Sequence, residues 1–572
     1  MNTVFLVAAV AVVFVFGYRF YAKLLALDAF HLDKNYSTPA NTRADGRDFA
    51  PVNPHLLFGY HVTAAGALAC AGPIVAASWG WIPAFLWITI GVAVAGGTYA
   101  FGSFWLASRH PGSLGHVTRR FLGAYARVAL LALASIALLV LIAASAGLTA
   151  SVLAGFPTAV LPLCALVLVG LAVGAFLRGR AEFEILPAAL IALTTLLLLV
   201  WVCTRVPFAF AGKLDITLGD LRLLSVDALL VWTVLLLVYA LHAARVPMWR
   251  IMRPRGFVTA LLLAVALVVF YLALAIAHPG IAAPQFHSPD AGSAALPWLF
   301  LIVSAGALAG VQLLIVHGVS GRQLRNETDA RYIGYGGALV EGAIALSALL
   351  IAATAVADGT AWSASFGAPS AADFLRALAL YVDGYARVVA TLGVDPALAR
   401  NLAATVVAAL SLAGLEASMR ALKQLWAPAP VASTVPGATA PRRQDGRGRL
   451  WAIALVAGVL ALLDGRGFGG LAAWPLAALA GLWLAAGGFA LMAQAARAAQ
   501  QSTGLLWALA GSVGALAAWS TAVQLLAWWD AGDWGGLALG LVIVLLVAGA
   551  IAGSLRGNRA DSADPAPAEP LP

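Results

Sequence analysis

The chain has 572 residues, of which 62% are hydrophobic and 10% charged, and its mean hydropathy is +0.92. Soluble domains carry roughly 25% charged residues, so a water-soluble globular protein is excluded. Many apolar runs of about 20 residues, the length that spans a bilayer, instead make this an all-α polytopic membrane protein. The net charge of +9 raises nucleic acid or anionic lipid as partners, but the placement of the basic residues assigns it to membrane topology, and no nucleic-acid partner is expected.

Taken in chain order, the first apolar run, MNTVFLVAAVAVVFVFGYRFYAK, has no basic stretch before it, and Arg19 and Lys23 follow it. It reads as a retained first helix with its N-terminus outside, not as a cleaved signal. Further helices are predicted near 57–78, 82–107, 127–148, 157–176, 184–204, 228–243, 257–277, 297–317, 334–356 and 402–420. Four more close the chain near 450–464, 469–494, 504–527 and 535–555, which makes about 15 transmembrane helices. The segment 374–391 carries Arg376, Asp383 and Arg387 and reads as an interfacial or extra helix. The Pro/Ala/Gly-rich and then basic stretch 427–449 reads as a cytoplasmic linker. It separates a core, 1–426, from a C-terminal four-helix membrane region, 450–555, whose helices hold few ionisable residues and are assigned to packing. The tail 556–572 reads as disordered.

Lys and Arg collect in 23–55, 108–127, 176–184, 244–256, 318–333 and 420–450, whereas the alternate loops 149–156, 278–296 and 528–534 hold almost none. By the positive-inside rule the N-terminus lies outside and the C-terminus inside, in keeping with an odd number of crossings. Helices two to six and seven to eleven would then form five-helix repeats of opposite orientation, about 57–204 and 228–420. Transporters built on such repeats bind solute at breaks in equivalent helices. The second helix contains Gly72-Pro73, and the seventh carries His242 and then Val246-Pro247 near its end. Gly72-Pro73 reads either as an unwound turn that frees backbone groups for a solute or as an ordinary proline kink.

Ionisable and polar groups within membrane spans usually face a cavity. Here they are Tyr60 and His61, Tyr239 and His242, Gln312 and His317, Glu341, and Glu416 with Arg420. His61 and His317 serve either a cavity or a helix end, bonded to backbone. Glu416 and Arg420 stand i, i+4, so a helical salt bridge is available, and these two with Glu341 are structural or coupling candidates. Cys70, Cys164 and Cys203 form no metal-ligand spacing. No Ser/His/Asp order, HExxH or zinc spacing stands out, and 325–342 lacks the GK[ST] of a phosphate loop, so neither an enzyme nor a cofactor is expected.

The stretches DGRDFAPVNPHLLFGYHVTAAGALACAGPIVAA, RVPMWRIMRPRGF, GALAGVQLLIVHGVSGRQL and NETDARYIGYGGALVEG resemble, in order, motifs of the carbon starvation protein A (CstA) family. The resemblance spans roughly residues 15 to 420, and DGRDFAPVN and ARYIGYGG are its most specific parts. It implies a bacterial inner-membrane transporter for peptides or pyruvate, with the five-plus-five inverted repeat of the amino acid–polyamine–organocation transporters. The chain departs from the family pattern at several polar positions. Tyr60 precedes His61 where paired histidines are usual. Ala100 stands at the acid of a Gln-Asp-Phe, Gln312 at the histidine of a Ser-Gly-Phe-His, and Gly256 at the acid of a Pro-Arg-Asp. Glu416 and Arg420 keep the acid and base of an Asp-Ala-Gly-Thr-Arg.

The leading expectation is a secondary active transporter for small organic solutes of the peptide or pyruvate class, with a proton or sodium ion as coupling partner. Solute would bind among Tyr60, His61, Gly72, Pro73, Tyr239, His242, Gln312 and His317. The alternative is a transporter-derived sensor or scaffold without turnover, favoured by the missing acids and disfavoured by cytoplasmic segments of only about 30 residues.

Overall fold

The computed structural model describes residues 2–178, 184–210, 214–218, 221–287, 310–354, 362, 371–426, 447–463 and 473–560. It is a helical bundle. The first half contains α1 (Thr3–Ala29), α2 (Pro54–Thr63), α3 (Leu68–Trp79), α4 (Trp81–Arg109), α5 (Leu114–Leu122), α6 (Ala124–Gly155), α7 (Pro157–Phe176) and α8 (Ile185–Cys203). The second half contains α9 (Ala228–Arg245), α10 (Met252–Ala277), α11 (Val311–Gly318), α12 (Arg331–Thr354), α13 (Ala371–Ala390) and α14 (Pro396–Leu425). The chain closes with α15 (Gly448–Leu462), α16 (Trp474–Ala498), α17 (Gly504–Asp530) and α18 (Trp534–Ala560).

Among the described residues, 12 helices are long and apolar enough to cross a bilayer, or 13 if the bent pair α2/α3 is one span. Of the fifteen predicted, the one near 297–317 lies mostly outside the described residues, and the one near 450–464 is the shorter α15. The segment 374–391 is a full helix of the bundle: its Tyr381, Val382 and Tyr385 are buried. Its hydropathy is diluted by charges that stay outside the core, Asp383 pairing with Arg400 where both are about half exposed. A short antiparallel hairpin, β1 (Leu214–Leu218) with β2 (Leu221–Val226), lies between α8 and α9 and was not foreseen. The linker 427–446 is outside the described residues. Of the predicted tail, 556–560 continue α18 as helix, and 561–572 lie outside the described residues.

The centre of the bundle is α14, whose most apolar window is 100% buried. The long α6, together with α9, α10 and α13, packs around it. The perimeter is the reverse: only 22% of the α1 window and 11% of the α18 window are buried, and Phe5, Ile191 and Leu545 stand well exposed. Apolar side chains outside and polar ones inside are what a bilayer solvent selects. The C-terminal helices are not an appendage. The Gly310 N–H donates to Gly481 O at 3.1 Å, and the Tyr99 hydroxyl donates to Leu484 O at 3.3 Å, so α16 is built into the core beside α4.

Candidate functional site

The break in the second span organises the site. Asn53 caps α2 by accepting the His55 N–H at 2.9 Å, and Pro54 follows at the first helical position, where its missing N–H costs nothing. After Thr63 the chain turns through 64–67 and resumes as α3, bent by 46°. Gly66 makes the turn with φ +79, and a Cβ there would stand 3.5 Å from the Gly414 Cα of α14. A left-handed residue against another backbone is a glycine position. The predicted unwound turn at Gly72-Pro73 is therefore corrected. Both residues are buried inside α3, and the break lies at 64–67. Pro73 stands in the interior of the helix, where it removes a single bond, the one to Ala69 O, a loss that membrane helices tolerate.

His61, one turn before the break, is buried with its Nε2 3.1 Å from Gln312 Nε2 of α11. Its ring meets Phe104 edge-on, centroids 4.8 Å apart. Gly337 of α12 closes over it: a Cβ at Gly337 would come 3.0 Å from His61 Cδ2. With the Gln312 amide nitrogen turned to it, His61 Nε2 is assigned as the acceptor and its proton to Nδ1. That Nδ1 is buried and has no partner. One turn along α12, Glu341 is 1% exposed, and both of its oxygens are also without a hydrogen-bond partner. Gln312 is its nearest polar neighbour, although the two make no bond of good geometry. Three polar side chains from three helices thus converge beside the break, and His61 and Glu341 keep unused hydrogen-bonding capacity, which native interiors rarely leave without a reason.

The other face of α2 meets a charged cluster. Glu416 does not pair with Arg420, as the i, i+4 spacing suggested. Its Oε2 accepts from Arg255 Nη2 of α10 at 2.9 Å, both side chains fully buried. Arg420 instead donates to Asp48 Oδ1 at 2.7 Å and to Val246 O at 2.8 Å. The reason is geometric: the α14 surface is wholly covered, so each charge finds a partner on the helix or loop packed over it. Tyr60 and Tyr239 reach this cluster, their hydroxyls buried without a partner of good geometry and Glu416 and Arg255 their charged neighbours. Gly256 explains one departure from the family motif. A Cβ at that position would fall 2.9 Å from the Tyr60 Cα, so the close crossing of α2 and α10 leaves no room for an acid.

Sequence reasoning missed Asp48, Arg255, Arg109 and Glu327. Asp45 Oδ1 accepts the backbone N–H groups of Arg47, Asp48 and Phe49, each at 2.8 Å, which aims Asp48 at Arg420 and lets Arg47 donate to Arg245 O at 2.7 Å. The buried Glu327 takes both Arg109 nitrogens, Nη2 to Oε2 at 2.7 Å and Nε to Oε1, with the Asp33 N–H at 2.9 Å. Asp48 and Glu327 lie in the motifs DGRDF and NETD and Arg255 in RVPMWRIMRPRGF, whereas Arg109 lies in none of the family-like stretches. His317 takes the structural alternative: its Nε2 lies 3.1 Å from His110 O, at a helix end. Burial, with Arg120 and Arg109 nearby, pulls the His110 imidazole down to about 4, so it is neutral at physiological pH. His242 is exposed and belongs to neither cluster. The seventh-helix break is corrected too, since α9 runs unbroken to Arg245 and Pro247 simply follows its end.

Residues 2–427 match the family model described as carbon starvation protein CstA. The chain belongs to that family. It is 30% identical over 361 residues to the peptide transporter CstA of Campylobacter jejuni, which covers 62% of this chain and 50% of that protein. To the pyruvate/proton symporter BtsT of Escherichia coli it is 29% identical over 360 residues, 62% of this chain and 49% of that protein. The chain spans about half the length of the curated relatives it matches. A manganese transporter structure from Eremococcus coleocola aligns over 90% of this chain and 99% of its own, with 14% identity and a TM-score of 0.37; at that score the likeness bears on neither fold nor site. Family and helices together make this a multi-pass membrane protein similar to transporters of small organic solutes.

Proposed function

We propose that this CstA-family protein is a secondary active transporter of small organic solutes of the peptide or pyruvate class, in the bacterial inner membrane with its N-terminus periplasmic and its C-terminus cytoplasmic. The observation that carries the reading is the coincidence of a broken, fully packed span with unspent polar atoms beside it: the α2/α3 break, His61 Nδ1 and the Glu341 oxygens. The His61 Nδ1–H is a donor suited to a solute carboxylate or carbonyl. The first-turn amides of α3 add the positive end of a helix, and Gln312 holds the imidazole in the tautomer that donates. The names of the relatives support the solute class. The transporter core is 1–426, with α16 bracing it, and the five-plus-five repeat accounts for the opposed basic loops.

The test is uptake of labelled pyruvate and dipeptides into proteoliposomes, with proton and sodium gradients imposed in turn. Accumulation of either solute above that in empty vesicles supports the reading. Binding without transport under any gradient overturns it in favour of a sensor. A topology reporter fused after residue 556 should read cytoplasmic, and the opposite result removes the orientation.

A further inference from the structure

Four acidic side chains are buried among the described residues: Asp48, Glu327, Glu341 and Glu416. Three are held by arginine, Asp48 by Arg420, Glu327 by Arg109 and Glu416 by Arg255. Glu341 has no cation beside it, and neither of its oxygens makes a hydrogen bond of good geometry. An ionised carboxylate so placed is strongly disfavoured, whereas a carboxylic acid there is not. We propose that Glu341 is the reversible proton-binding residue that couples proton movement to solute at the His61–Gln312 site. This rests on the transport reading above and assigns the residue that carries its coupling proton.

The surroundings fit a proton better than a metal ion. No group of three or more His, Cys, Asp or Glu positioned to hold a metal occurs among the described residues, and no charged side chain acts on Glu341. The titratable groups on the helices packed against α12 are already occupied or neutral. From α2 comes His61, engaged by Gln312. From α4 comes Tyr99, bonded to backbone carbonyls. From α10 comes Tyr271, donating to Ala343 O at 2.6 Å, and from α13 Tyr381, 3.3 Å from Ser347 Oγ. Cys70 of α3 is a buried free thiol.

The step balances simply. A proton from water on one side forms the Glu341 O–H bond while the site is open to that side. When the site opens to the other side, that bond breaks and the proton leaves to water there, the carboxylate being transiently solvated. Solute on His61 travels with it because protonation removes the Glu341 charge, so a solute carboxylate is not enclosed beside a second anion.

The test uses E341Q in the full chain. Gln replaces a neutral acid without changing charge or size, so monodisperse elution in detergent should match wild type; E341D is the second variant should E341Q misfold. Infrared spectra of the reconstituted protein at neutral pH should show a protonated-carboxyl C=O band that E341Q lacks and E341D shifts. In proteoliposomes, E341Q should lose all accumulation driven by an imposed pH gradient, and whatever counterflow exchange of labelled pyruvate or dipeptide it retains should no longer vary with pH, as it does in wild type. Absence of the band in wild type, or pH-driven accumulation retained in E341Q, overturns the proposal. If wild type shows the band but neither accumulates nor exchanges either solute, the transport reading fails and coupling falls with it, while the protonated state of Glu341 stands.

Discussion

Replacing either member of the Arg255–Glu416 pair leaves a single charge in the most enclosed part of the bundle. The contact is 2.9 Å with both side chains at 0% exposure, so no water compensates the survivor. Breaking such a pair from one side typically costs about 3–5 kcal/mol, while replacing both members by apolar groups of similar volume is often neutral. Arg255→Met and Glu416→Leu should each destabilise by about that amount. The double variant should cost no more than either single, giving a coupling energy of at least about 3 kcal/mol. The same cycle between Glu416 and Arg420 is the control. An i, i+4 helical pair contributes only about 0.5 kcal/mol, and these two residues have separate partners, so their losses should add within a few tenths of a kcal/mol. Both cycles are readable by SDS titration of the protein in mixed micelles, with the 18 tryptophans as the fluorescence signal. A large Glu416–Arg420 coupling beside a small Glu416–Arg255 coupling would refute the assignment.

Gly66→Ala forces an alanine into φ +79 and should cost about 1–2 kcal/mol and lower uptake, whereas Pro73→Ala, inside α3, should hold or raise folded yield and leave uptake near wild type; the reverse ranking would return the break to Gly72-Pro73. Gly256→Asp, which restores the acid usual in the family motif, should abolish folded protein on size exclusion, because its Cβ would press on the Tyr60 backbone. The imidazole of His110, lowered from 6.5 to about 4 by burial and two arginines, is neutral when folded and takes up a proton sooner when unfolded. Its contribution is therefore present above pH 6.5 and lost as pH falls from 6.5 towards 4, by up to about 3 kcal/mol; His110→Gln should flatten the melting temperature across that window.

The sequence by itself determined the class of this protein and most of its helices. Hydropathy over about 20 residues is a local property, and a bilayer lets little else stand there. It also marked His61, Gln312 and Glu341, since a polar residue in an apolar run is visible wherever it points. Their convergence was not visible, because residues 61, 312 and 341 meet only after three helices pack. The same limit governed two of the readings that changed. Glu416 and Arg420 are four residues apart, yet each is paired with a group more than 150 positions away, because a wholly buried helix takes its partners from whatever covers it. Pro73 announces a break in any sequence, but the chain bends at Gly66, an unremarkable glycine until the backbone of Gly414 comes against it. Local chemistry thus limits where a helix can yield, and the packing of α14 decides where it does.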